Sequence, residues 1–399
     1  MMRIMVVAGT RPECVKLFPL IAALREQPDV DMRFCVSGQH RQMLDQALAL
    51  CDLTPDVDLG VMREGQSLDA LTARLLTGLG EAYDAFLPDR VVVQGDTVTA
   101  MAATLAAHYR QIPVAHVEAG LRTGDIANPW PEEANRRIIA CMADLHFAPT
   151  EGAAQALLAE NHDPARVFVT GNTGVDALRL IRARMQARPE MAAGLDPLLH
   201  AFAGRRILTV TCHRRENLGA PIKQIATALY EIAQRPDVAI VMPLHANQAI
   251  RPMLAQLEAL PNVALIDALD HAHFLRLLDS SALVLTDSGG VQEEAPAFGK
   301  PVLVLRETTE RPEGVAAGTA IVVGTDVKLI VDQATRLLDD GAAYAQMARM
   351  HGVYGDGRSA GRIVKLIVAH TALRRPQPWM VCPQEFLSSF RTVKRHIST

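Results

Sequence analysis

Short apolar runs alternate with longer amphipathic stretches along nearly the whole chain. Strand-like runs fall at Ile4–Ala8, Phe34–Ser37, Val91–Gln94, Val114–Val117, Leu145–Ala148 and Val167–Thr170. They are short and apolar with little alternation, the pattern of strands covered on both faces. Between them the spacing predicts helices, for example over Gln39–Leu50, Leu68–Phe86 and Val98–Tyr109. Strand and helix in repeated succession predict a parallel sheet wrapped by helices. The pattern then starts again, with strands at Ile207–Thr211, Val238–Pro243, Val263–Ile266, Leu283–Thr286, Val302–Leu305 and Ala320–Val323. The expected fold class is therefore α/β, with two Rossmann-like, doubly wound domains facing each other across a cleft. The division is expected near Gly171–Asp176, giving domains 1–171 and 172–358. A last helix, about 359–373, is expected to pack back on the first domain. Residues 188–204 show weak periodicity and predict helices and a loop at the domain edge. The basic, Pro-containing tail 374–399 is unassigned.

Composition narrows the class. A chain of 399 residues exceeds one hydrophobic core, which agrees with two domains. With a formal net charge of -4 and 4% aromatic residues, it offers neither the basic excess nor the stacking surface of a nucleic-acid binder. The six cysteines are scattered without a C-x-x-C pair, so no disulfide framework or zinc site is expected, and the compartment is read as reducing. No apolar run reaches membrane-spanning length and the first residues run straight into a strand, so no membrane partner and a cytoplasmic location are expected.

In doubly wound sheets ligands sit beyond the carboxyl ends of the strands, and the polar motifs fall there. The stretch Leu283–Ala295 reads as a strand end, a sharp turn at Asp287-Ser288-Gly289-Gly290, and a helix start. Exposed backbone N–H groups and two glycines suit a phosphate; the alternative is an ordinary turn with Ser288 as N-cap. After the first strand, Arg11 and Lys16 sit at a helix start and could clamp an anion. This loop matches neither the dinucleotide fingerprint nor a Walker motif, so no cofactor is expected. Asp96, Glu118 and Glu132 lie on three separate loops of one rim and suit proton transfer. Asp96 could equally be a helix cap, and Glu132 is a residue type that any helix start favours. In the second half, His213-Arg214-Arg215-Glu216 follows a buried strand and offers phosphate binding with a titratable group. His245 and Asn247 follow the next strand. Phe274 reads as core on its own, and Arg311 could face a diphosphate or be a loop cation.

The strings GTRPE, QHRQMLDQ, GDT, HVEAGLRTGD, PWPEEANRR, FVTGNT, HRREN, TDSGGVQEEA, GKPVLVLRETTERPE and YGDG occur in this order. Together they resemble the non-hydrolysing bacterial UDP-N-acetylglucosamine 2-epimerases, over about residues 3–373. The resemblance implies the GT-B architecture and a reversible interconversion of UDP-GlcNAc and UDP-ManNAc. It implies Asp96, Glu118, Glu132 and His213 as catalytic or essential cleft residues. Arg11, Ser288, Gly289, Gly290 and Arg311 are implied at the diphosphate; Lys16 joins the expected substrate-binding residues from its own place at the helix start. Glu294 is implied at the ribose and Phe274 near the uracil. Gln39, Gln42, Arg214 and His245 match a second site where UDP-GlcNAc itself acts as allosteric activator; some relatives carry Arg at the place of Gly65. A homodimer is implied in the same way.

The chemistry agrees with the lack of a nicotinamide fingerprint. The C2 proton of N-acetylglucosamine is not next to a carbonyl, so a simple base cannot make an enolate. The remaining route removes that proton as UDP leaves C1, forming a 2-acetamidoglucal, and then returns UDP after protonation at the other face. Which carboxylate is base and which acid is left open by the residues. A crowd of like charges is expected to raise at least one of their pKa values. A GT-B glycosyltransferase, a hydrolysing epimerase releasing ManNAc and UDP, and a non-catalytic nucleotide-sugar sensor are the alternatives.

Overall fold

The computed structural model describes residues 1–39, 41–214, 217, 219–244, 251–309, 311–349 and 352–371, with the side chains of Arg41 and Gln42 left out. The first sheet is built from β1 (Met2–Ala8), β2 (Val30–Val36), β3 (Val57–Asp58), β4 (Arg90–Gln94), β5 (Val114–Val117), β6 (Leu145–Ala148) and β7 (Val167–Val169). The second contains β8 (Arg206–Thr211), β9 (Val238–Leu244), β10 (Val263–Asp267), β11 (Ser281–Thr286), β12 (Val302–Val304) and β13 (Ala320–Val322). Every expected strand is present, with ends shifted by a few residues. The two-residue edge strand β3 was not expected, because so short a segment carries no periodicity.

All described pairings are parallel, in the orders β3-β2-β1-β4-β5-β6-β7 and β10-β9-β8-β11-β12-β13. Both orders reverse at one place: between β1 and β4 in the first sheet, and between β8 and β11 in the second. At such a reversal the following helices leave to opposite faces, and a crevice opens beyond the strand ends. The loops after these four strands carry Arg11, Asp96, His213 and Ser288. The fold thus sets the sequence motifs at its two switch points.

The core explains why the strands read as continuous apolar runs. One buried cluster joins Val6 and Phe34 of the first sheet to Val284 and Val304 of the second, through Leu20, Ile181, Ala295 and Ile363 on intervening helices. Separate clusters cover the outer faces, around Leu75, Val91 and Ala103 on one side and Leu208, Ile225, Leu285 and Ile330 on the other. The Thr173–Ala187 helix packs on the Arg11–Arg25 helix, as does the Ser359–His370 helix. Asp176 accepts a hydrogen bond from Ala360 N–H at 3.0 Å, and buried Arg90 at the start of β4 donates to Thr371 at 2.8 Å. Residues 188–204 form a 3-10 segment, Pro189–Leu195, and a short helix, Asp196–Ala201. Among the described residues no helix is long and apolar enough to cross a membrane.

Candidate active site

At the first switch point a buried acid joins two loops. Glu13, 1% exposed, accepts from Gly9 N–H at 3.0 Å and from the Thr97 hydroxyl at 2.7 Å. Burial pushes its pKa up to about 7, even against these donors and Thr10. The loop after β1, with Arg11, is thereby tied to the loop after β4, with Asp96. Gly95 turns the chain out of β4 at φ +70. The Asp96 carboxylate is gripped by Arg136, Nε and Nη2 each at 2.8 Å, and Asn135 donates to the Asp96 carbonyl at 2.8 Å. Glu133, with no exposed surface, braces Arg136 at 3.2 Å and accepts from Thr123 N–H at 3.2 Å. The carboxylate at the cleft is thus held by an arginine that is itself held.

Glu118, the first residue after β5, has φ +63, a left-handed conformation that costs a residue with a side chain about 1 kcal/mol or more and gathers at functional sites. Its carboxylate receives Lys16 Nζ at 2.5 Å and the Gln94 amide. Burial raises the Glu118 pKa; Lys16 opposes this, and Glu293 and Asp96 add to it. Burial works against the Lys16 ammonium, but Glu118 and Glu293 outweigh it and its pKa is raised. Each group is thus the main counterweight to the other's burial. His116, just before, is held near pKa 4 by burial and is neutral at pH 7, so its Nε2–H donates to the Gly95 carbonyl at 2.8 Å.

The second switch point repeats the device. Asp287, fully buried, accepts three hydrogen bonds at 2.9 Å on Oδ2, from His213 N–H, Arg214 N–H and Asn217 Nδ2. The His213 ring stands 3.4 Å from its other oxygen. The next helix, Gly289–Ala297, begins with both glycines already helical, and Ser288 makes no side-chain cap bond. Arg311 and Arg214 lie 3.8 and 4.0 Å from where a Cβ on Gly289 would stand. A helix start with two guanidinium groups beside it attracts an anion through both N–H groups and charge.

The two sides meet electrostatically. Glu293 binds Arg311 Nε and accepts from Asn172 Nδ2 at 3.1 Å, and its charge reaches Lys16 and Glu118. Partly buried Glu294 is pushed up to about pKa 7 by burial and by Glu293, against Lys16 and Arg11. A cavity of about 310 Å³ opens beside Arg11, lined also by Gln46, Leu50, Met191, His271 and Ala272. Phe274, one turn further along the His271–Ser280 helix, packs against the shared apolar cluster.

A profile of the UDP-N-acetylglucosamine 2-epimerase family matches residues 22–368. The chain belongs to this family. It is 48% identical to the UDP-N-acetylglucosamine 2-epimerase of Yersinia pestis, over 92% of this chain and 99% of that one. The Escherichia coli K12 enzyme of the same name is 47% identical, over 92% and 98%. Among solved structures, UDP-GlcNAc 2-epimerase from Neisseria meningitidis bound to UDP-GlcNAc superposes with a TM-score of 0.83 at 41% identity, covering 92% of this chain and 100% of that one. The Methanocaldococcus jannaschii enzyme in complex with UDP-GlcNAc and UDP gives 0.73 at 31%, covering 92% and 100%. A Streptomyces nogalater glycosyltransferase, at 0.58 and 22%, shares the fold alone. The GT-B expectation holds.

Within this family member Asp96 and Glu118 share a wall of the cleft. Glu132 is the first residue of the Glu132–Met142 helix, the same helix whose Arg136 grips Asp96. Its carboxylate has no described partner. Gln39 accepts from Thr99 Oγ1 at 2.9 Å. The Gln42 side chain, Arg215, Glu216, His245, Asn247 and the tail lie outside the described residues. Gly65 has φ +66 and nothing within 4 Å of an added Cβ. Among the described residues no cluster of His, Cys, Asp and Glu could hold a metal.

Three expectations change. Gly289 and Gly290 form the first helical turn, not a sharp turn before it; what they supply is the absence of side chains over the helix start. The Ser288 hydroxyl is not spent on capping. The rise in Glu118 pKa comes first from burial, with like charge second. Sequence reasoning also missed Glu13, Gln94, Glu133, Arg136, Asp287 and Glu293. All but Gln94 stand inside the motif strings quoted above, and Gln94 directly precedes one, so membership of a motif was the available signal.

Proposed function

We propose that this chain interconverts UDP-GlcNAc and UDP-ManNAc without hydrolysis, by elimination and re-addition of UDP. The observation that carries this reading is a buried carboxylate, Glu118, within electrostatic reach of Arg311 beside the helix start at Gly289. Epimerisation by elimination needs both at once. Proton abstraction breaks C2–H and its electron pair forms the C1–C2 double bond, while the C1–O pair leaves with UDP. Donors and cations aimed at the departing diphosphate stabilise that charge as it develops. Arg11, Arg311, His213 and the Ser288–Gly290 N–H groups supply them. Asp96, Glu118 and Glu132 carry the proton on and off C2.

Glu294 is assigned to the ribose hydroxyls, and the cavity beside Arg11 and the Phe274 helix to the uracil. Its volume is at the lower end of small-ligand sites, enough for a base. Lys16 acts through Glu118, keeping that buried carboxylate ionisable. By family likeness the enzyme is a homodimer, activated by UDP-GlcNAc through Gln39, Gln42, Arg214 and His245. Light scattering and sigmoidal substrate dependence test these two points.

The decisive experiment incubates UDP-GlcNAc with enzyme in deuterated water, followed by NMR. UDP-ManNAc with deuterium at C2 and no free sugar is expected. Retained hydrogen at C2 rules out elimination, and accumulating free ManNAc rules out the non-hydrolysing reading.

A further inference from the structure

Arg311 reaches the helix start from a loop, where a long cation has no fixed direction of its own. It is given one by Glu293, which takes the Nε edge of the guanidinium and leaves Nη2 3.8 Å from the Cβ position of Gly289. A guanidinium whose Nε edge is held has its plane fixed, the condition for a directed contact with phosphate oxygens. The second Glu293 oxygen is occupied by Asn172 Nδ2 at 3.1 Å, 121 residues away in sequence. Asn172 is in turn fixed as the N-cap of the Thr173–Ala187 helix, donating no freedom to the pair. Glu293 itself is 12% exposed on its side chain, so its charge is little screened.

We propose that Glu293 is a positioning residue, which aims Arg311 at the helix start and anchors that aim through Asn172 to the helix linking the two sheets. This deepens, and rests on, the reading of the cleft as a UDP site. The charged and titratable groups facing Glu293 are Lys16 from the first helix, Glu118 from the end of β5, Arg311, Tyr354 and its neighbour Glu294. Signs alternate along Glu118, Lys16, Glu293 and Arg311, so Glu293 also acts on the acid–base side. As a like charge it raises the pKa of Glu118 across the cleft.

Two substitutions separate these effects. Glu293→Gln removes the charge; Glu293→Asp keeps it but withdraws the carboxylate by one methylene, too short to hold Arg311 and Asn172 together. Calorimetric UDP binding is expected to weaken roughly ten-fold in both, the scale of one charge-assisted contact. The limb of the epimerisation pH profile set by Glu118 is expected to move to lower pH in Glu293→Gln and to stay in place in Glu293→Asp. Unchanged UDP affinity in either variant, or an unmoved limb in Glu293→Gln, overturns the inference. So does a lowered melting temperature as the sole effect, which marks a structural role. If Glu293→Gln gives no cooperative melt, UDP affinity of Glu293→Asp decides alone. A wild-type protein that binds UDP but does not epimerise sinks the proposed function and leaves the binding comparison standing.

Discussion

Asp287 offers the sharpest test of how the second switch point is held. Replacing it with alanine strips one acceptor from three donors at 2.9 Å, two of them backbone N–H groups of His213 and Arg214. Hydrogen bonds to an ionised group contribute about 1.5 kcal/mol or more each. The sum is discounted here, since Asn217 keeps the Leu305 carbonyl at 3.1 Å and His213, 43% exposed on its side chain, is open to water. A loss of about 3 kcal/mol remains. If the loop loosens in the free protein and must be ordered again by ligand, this cost falls on binding, weakening UDP by about a hundred-fold. Asp287→Asn keeps an acceptor without the charge, and its cost is about 1 kcal/mol, or roughly five-fold. Calorimetry with UDP, alongside thermal melts showing both variants folded, measures the two. Alanine binding within about two-fold of wild type refutes the reasoning on the scale of these energies, because the staple would then not hold the ligand-facing loop.

UDP affinity is expected to depend on pH through Glu294, whose pKa is raised to about 7 by burial first. Its ionised form accepts the ribose hydroxyls, so affinity falls as pH drops below 7; Glu294→Gln removes that slope, and a slope that persists in the variant assigns it elsewhere. Gly290→Trp is expected to abolish UDP binding with little change in melting temperature. An added Cβ there meets only Ser288 Oγ at 3.9 Å, so the space it invades belongs to the ligand; retained UDP affinity moves the anchor to another loop.

The sequence by itself determined the order and nearly every position of the strands. A strand buried on both faces must be apolar throughout, and that pattern is local. It also placed Asp96, Glu118, His213 and the Ser288–Gly290 stretch at strand ends, because chains leaving a buried strand change to polar residues and glycine abruptly. Ordered motifs then carried the family. Tertiary structure decided what holds those residues and which of the acids among and around them are buried. Lys16 meets Glu118 across 102 positions, and Asn172 meets Glu293 across 121. No local pattern announces such a pair. Glu13 and Asp287 look like ordinary helix-start acids until burial and their donors from a second loop are seen. The stretch after β11 shows the division well: its identity as a helix start was legible, but only the fold brought Arg311, Arg214 and Glu293 to it. Pairing and desolvation depend on which loops the sheet order brings together, and that order is a property of the folded chain.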